Sequence, residues 1–141
     1  MKDRSICGIV LVVLLWMAST DITAQSLTSS NIAWKATSMR GPKGSFKTNP
    51  GSIVTYKMNT AELKDTNGTV LKSYTLTNPV GDLQDAGQSG RIRFTTKSAD
   101  GEVGILQINK KGQVTQIALS FHSATAMPDD YYYEINSIEV L

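Results

Sequence analysis

Apolar and polar residues alternate over short runs along most of the chain after residue 30. The clearest run is residues 91–97, in which Ile92 and Phe94 alternate with Arg91 and Arg93. Alternation with a period of two places one set of side chains on each face of a β-strand. No segment after residue 25 keeps the 3.6-residue apolar period of a helix for three turns, so the pattern predicts an all-β fold.

Seven such runs are predicted as strands, because β-branched and aromatic residues dominate them and turn-forming residues separate them. Short turns at Gly68, Gly101 and Gly112 join several of the runs as hairpins. Neighbouring hairpins predict a single antiparallel meander, which closes as a small barrel or packs as a β-sandwich. Residues 41–52 and 78–90 are predicted as long loops. The predicted strands are residues 32–39, 53–63, 69–77, 91–97, 102–109, 113–121 and 127–140.

The last predicted strand contains three consecutive tyrosines between carboxylates. Alternation puts Tyr131, Tyr133 and Ile135 on one face and Tyr132 on the other, so the three rings do not form one platform. Ile138 has the opposite parity from Ile135. We therefore expect either cover on both faces or a bulge at residues 136–137 that resets the register.

Residues 1–24 have the layout of a secretory signal peptide. Lys2 and Arg4 precede an unbroken apolar run at residues 9–17, and a polar segment follows up to Ala24. The run is shorter than the roughly 20 residues that a membrane-spanning helix needs. We predict cleavage after Ala24 and a secreted or periplasmic protein of a single all-β domain, residues 25–141.

Composition limits the chemistry of that domain. Its net charge is only +2, which does not predict nucleic-acid binding, and the single cysteine, Cys7, lies in the predicted signal peptide. The lone histidine, His122, excludes a zinc site that uses two histidines. The paired carboxylates fall at predicted turns, where aspartate commonly caps backbone groups. We predict a non-enzymatic protein with no cofactor and no metal; composition leaves its oligomeric state open.

Trp34 on the first strand, followed by a meander, is similar to the arrangement in lipocalin-like barrels. Those proteins place a glycine two residues before that tryptophan, whereas this chain has Ile32. The resemblance implies a β-barrel that carries a small apolar molecule or a lipid, and no residue role is transferred from it.

Two functions follow as hypotheses. The first is an interior cavity for a small apolar molecule or lipid, lined by Tyr56, Met58, Tyr74, Phe94, Leu119 and Phe121. The second is a surface module that binds a glycan or another protein through loops and exposed rings, of which Trp34 and Tyr132 are the candidates. Arg91 and Arg93 point the same way from one strand, so they are candidates for an anionic glycan or lipid head group. They also suit a strand edge that charge protects from aggregation.

Overall fold

Eight antiparallel strands form a closed barrel in which each strand pairs with its neighbours in sequence and the last pairs with the first. The computed structural model describes residues 26–122 and 129–141. The predicted signal peptide and its cleavage site at Ala24 lie outside these residues. The strands are β1 (Asn31–Arg40), β2 (Phe46–Tyr56), β3 (Thr60–Lys64), β4 (Val70–Gly81), β5 (Gly90–Ser98), β6 (Val103–Lys111), β7 (Val114–Phe121) and β8 (Asp129–Val140).

The predicted all-β meander is confirmed, but the strand count of seven is wrong. The run predicted as one strand, residues 53–63, is a hairpin whose turn residues Lys57 and Met58 both have positive φ, 48° and 54°. The Asn59 N–H donates to the Tyr56 carbonyl across this turn. Two consecutive residues with positive φ are typical of a type I′ hairpin turn, which normally carries Asn or Gly. Neither residue type stands at these two positions, so this turn has no recognisable signal in the sequence.

The two predicted long loops are shorter than expected because the strands extend into them. β2 begins at Phe46, inside the predicted loop 41–52, and β4 continues to Gly81, inside the predicted loop 78–90. The pairing of β4 with β5 shifts between Thr77 and Val80. Gly81, just after this shift and opposite Ile92, lies at φ 143°, and a Cβ there would be 2.0 Å from the Arg91 carbonyl oxygen, so only glycine suits this position.

Of the two alternatives expected for β8, the structure shows the bulge that resets the register. Pairing with β1 passes from Lys35 opposite Ser137 to Ala36 opposite Ile135, which leaves Asn136 as the extra residue. Tyr133 and Ile135 therefore face the interior before the bulge, and Ile138 packs against the same core after it.

The barrel interior is solid through its middle. Fully buried side chains from four strands fill it: Ile32, Trp34, Ile53, Leu106, Ile108, Ile117 and Leu119. The indole Nε1 of Trp34 donates to the Thr55 hydroxyl at 3.0 Å. The middle of the barrel is a packed core, because large side chains from opposite strands meet there.

The two ends of the barrel differ. The closed end, where β1 begins and β4 ends, is sealed by the buried side chains of Leu27, Met58, Leu83 and Ala86. The Leu27 N–H donates to the Gln84 carbonyl, and Lys110 Nζ donates to the Ala86 carbonyl, so the covering segments are fixed to the barrel. A pocket is found at the opposite end, where β1 ends and β4 begins.

Within the described residues, no helix has the length and apolar character needed to cross a membrane.

Candidate functional site

The open-end pocket is a cavity of about 320 Å³ at the mouth of the barrel. Its apolar lining comes from inward positions of β3, β4, β7 and β8, and Leu71, Lys72, Glu102 and Asp129 form its polar and exposed rim. Ligand pockets of proteins generally start at roughly 300 Å³, so this one suits a small molecule. The apolar lining is Leu63, Tyr74, Leu119, Phe121, Tyr131 and Tyr133.

Three aromatic rings of the lining contact one another. Tyr74 and Phe121 are stacked with centroids 5.6 Å apart, and Tyr131 meets Phe121 edge to face at 6.2 Å. Tyr74 is on β4, Phe121 ends β7 and Tyr131 begins β8, so closure of the barrel brings them together. The result is a continuous aromatic wall on one side of the mouth.

Two glycines lie beside this wall. A Cβ on Gly104 would lie 2.7 Å from Cδ1 of Phe121 and 2.4 Å from the Ser120 carbonyl oxygen. The Phe121 ring therefore lies against bare backbone of β6. A Cβ on Gly41 would lie 3.5 Å from the Tyr131 ring, so the turn after β1 passes close to that ring.

An ion pair between Lys72 and Glu102 spans the rim. Lys72 Nζ lies 2.6 Å from Glu102 Oε1, and both side chains are partly exposed. The same Nζ lies 5.8 Å from the Tyr74 centroid and 5.7 Å from the Phe121 centroid, within the range of a cation–π contact. The hydrogen bond to Glu102 raises the pKa of Lys72, and the negative charges of Glu102 and Asp100 raise it further.

Burial raises the pKa of the two inner tyrosines, Tyr74 and Tyr133. It raises the pKa of Tyr133 to about 12, and Tyr131 beside it adds to the shift. The pKa of Tyr74 rises well above its ordinary value, first through burial and then through the charge of Glu102. Both hydroxyls therefore stay neutral at physiological pH and are available as hydrogen-bond partners.

The residues predicted to line a cavity fall into three places in the structure: the open-end pocket, the packed core and the outer wall. Tyr74, Leu119 and Phe121 line the open-end pocket, whereas Phe94 and Met58 belong to the solid core. Tyr56 lies on the outer wall, where its hydroxyl donates to Glu62 at 2.7 Å. Its predicted inward position is wrong, because Ile53 and Thr55 take the inward positions of β2.

The predicted surface residues also divide. Trp34 is fully buried, so its predicted exposure is wrong, while Tyr132 is 41% exposed on the outer wall. Arg91 and Arg93 are exposed beside Gln107 in an open groove outside the barrel. Neither guanidinium has an ion-pair partner in the part of the chain that the structure describes.

Lys72, Glu102, Leu63 and Tyr131 are pocket residues that the sequence prediction missed. Lys72 did carry a signal, because it shares the inward parity of Tyr74 and Leu76 on its strand. A charged residue at a core-facing position near a strand end indicates an opening in the core. Glu102 carried no comparable signal, since it follows an ordinary Asp-Gly turn.

Comparison with known proteins identified no relative: no protein-family profile, curated protein or solved structure matched the chain. Among residues 26–122 and 129–141, no three histidine, cysteine or carboxylate side chains come together as candidate metal ligands.

Proposed function

We propose that this barrel is a binding protein that takes a small, largely apolar molecule into the open-end pocket. The observation that carries the proposal is the aromatic wall of Tyr74, Phe121 and Tyr131 beside a pocket of about 320 Å³ at the open end of the barrel. Apolar walls with a few well-placed polar groups are typical of small-molecule sites. The role is binding without catalysis, in a secreted or periplasmic protein.

The solid core limits the size of the ligand. Leu106, Ile117 and Leu119 are fully buried beneath the mouth, so a long acyl chain has no path along the barrel axis. A compact aromatic ligand matches the volume of about 320 Å³ and the aromatic lining of the pocket. This narrows the sequence-based hypothesis of a lipid carrier to small apolar molecules.

Adjacent tyrosines provide a matched test of the proposal. Tyr131 lines the pocket, whereas Tyr132, the next residue, points outward from the same strand. The experiment titrates residues 25–141 with N-phenyl-1-naphthylamine, a neutral dye whose fluorescence rises in apolar surroundings. We expect Tyr131→Ala to weaken dye binding by roughly tenfold, as the loss of an aromatic contact and its buried area implies.

Tyr132→Ala is the control, and it should leave dye binding unchanged. Equal effects of the two substitutions, or no binding by the wild type, would rule out the open-end pocket as the site. Weakening by Tyr132→Ala alone would instead favour the surface-module hypothesis, in which exposed rings contact a glycan or a protein.

A further inference from the structure

The charges around the open-end pocket are unbalanced. Glu102 and Asp129 line it, and Asp100 is close enough to raise the pKa of Lys72. Lys72 is the only cationic side chain among the described residues that line the pocket. The described lining residues, with Glu102 and Asp129 against Lys72, therefore carry a net charge of −1, and such a site attracts positive rather than negative groups.

The position of the Lys72 ammonium shows how a cation fits there. Its Nζ lies 5.7–5.8 Å from the centroids of two stacked rings and 2.6 Å from a carboxylate oxygen. Aromatic faces combined with a carboxylate are the groups that recognise ammonium ions in proteins. Lys72 itself is partly exposed on a long flexible stem, so its ammonium can turn out to solvent.

We propose that the ligand of the open-end pocket carries an ammonium group on its apolar body, and that this group replaces the Lys72 ammonium over Tyr74 and Phe121 beside Glu102. The inference rests on the proposed function and adds the chemical class of the ligand: a small aromatic or aliphatic amine, or a quaternary ammonium compound. Lys72 then acts as an internal competitor for the site.

Calorimetric titration with three benzyl compounds of different charge tests this inference. The probes are benzyltrimethylammonium, benzyl alcohol and phenylacetate. We expect wild-type protein to bind the cation most tightly. Lys72→Met, which keeps the apolar stem and removes the charge, should tighten binding of the cation by about tenfold, because it frees the rings and Glu102. Glu102→Gln should weaken it several-fold.

The outer-wall pair Lys35–Glu139 supplies the control, since its atoms are 3.0 Å apart and it lies away from the pocket. Lys35→Met should leave the affinity for the cation unchanged.

Tighter binding of phenylacetate than of the cation, or weaker cation binding by Lys72→Met, would overturn the inference and make Lys72 an anchor for an anionic ligand. If no benzyl probe discriminates by charge while N-phenyl-1-naphthylamine still binds through Tyr131, the inference fails and the proposed function stands. If the dye also fails to bind, both fail.

Discussion

The indole Nε1 of Trp34 donates a 3.0 Å hydrogen bond to the Thr55 hydroxyl across β1 and β2, and both side chains are fully buried. Thr96, an equally buried threonine on β5, has no hydrogen-bond partner for its hydroxyl within the described residues. Thr55 and Thr96 are both fully buried threonines, but among the described residues only the Thr55 hydroxyl has a hydrogen-bond partner.

This contrast gives opposite predictions for the same substitution. Thr55→Val leaves the indole N–H without an acceptor, and we expect it to lower the free energy of unfolding by about 1–3 kcal/mol. Thr96→Val removes an unpaired buried hydroxyl, so we expect it to be neutral or stabilising. Urea unfolding followed by Trp34 fluorescence measures the free energy of unfolding of both variants. A larger loss of that free energy in Thr96→Val than in Thr55→Val would contradict the assignment of Thr55 as the indole's acceptor.

Gly104 provides a test of how the aromatic wall is held. A Cβ at this position would overlap the Phe121 ring and the Ser120 carbonyl oxygen. We expect Gly104→Ala to cost about 1–3 kcal/mol of stability through overpacking and to weaken binding of N-phenyl-1-naphthylamine by moving Phe121. Unchanged binding in a folded Gly104→Ala protein would show that the ring position does not matter for the pocket.

The closed end should contribute to stability without contributing to binding. Leu83 is fully buried there, and replacing a buried leucine by alanine generally costs about 2–5 kcal/mol. We expect Leu83→Ala to lower the urea midpoint, while the protein that remains folded binds the dye with wild-type affinity. A parallel loss of affinity, measured where the variant is still folded, would mean that the two ends are not independent.

Alkaline pH should destabilise the barrel through its buried tyrosines. The folded-state pKa of Tyr133 is raised to about 12 by burial, whereas a tyrosine in an unfolded chain ionises near pH ~10. Its contribution to stability is therefore complete below about pH 10 and is lost as the pH rises toward about 12. Tyr133→Phe should make the fall in urea midpoint over this range shallower than in wild type. Tyr132→Phe, on the outer wall, should leave this fall as steep as in wild type. A shallower fall in Tyr132→Phe but not in Tyr133→Phe would show that Tyr133 is not the titrating group.

The sequence was sufficient for the fold class and for much of the register. Alternation in β5 and β8 placed Ile92 with Phe94 on one face and Tyr133 with Ile135 on one face, and both pairs are buried. The opposite parity of Ile138 pointed to a bulge at residues 136–137 as one of two alternatives, and the bulge is observed at Asn136. Such local patterns predict faces because the pleat of a strand fixes them.

Features that depend on closure or on tertiary partners were beyond the sequence. Thr55 lies inside the barrel, where it accepts from Trp34, and Tyr56 lies outside, where its hydroxyl donates to Glu62. Polarity alone would place Tyr56 inside the barrel and Thr55 outside it. Lys72 and Glu102 are 30 residues apart and meet only because the barrel brings their strand ends to one mouth. The shear of the barrel, which decides such meetings, has no local sequence signal.

The central claim is that the ligand enters the open end of the barrel, and amide chemical-shift mapping by NMR tests it most directly. Uniformly ¹⁵N-labelled protein, residues 25–141, is titrated with N-phenyl-1-naphthylamine after backbone assignment. We predict that the largest shifts fall on Leu63, Tyr74, Phe121, Tyr131 and Tyr133, with little change at Leu83 or at Arg91 and Arg93. Largest shifts on the outer groove of Arg91 and Arg93, or at the closed end, would contradict the account.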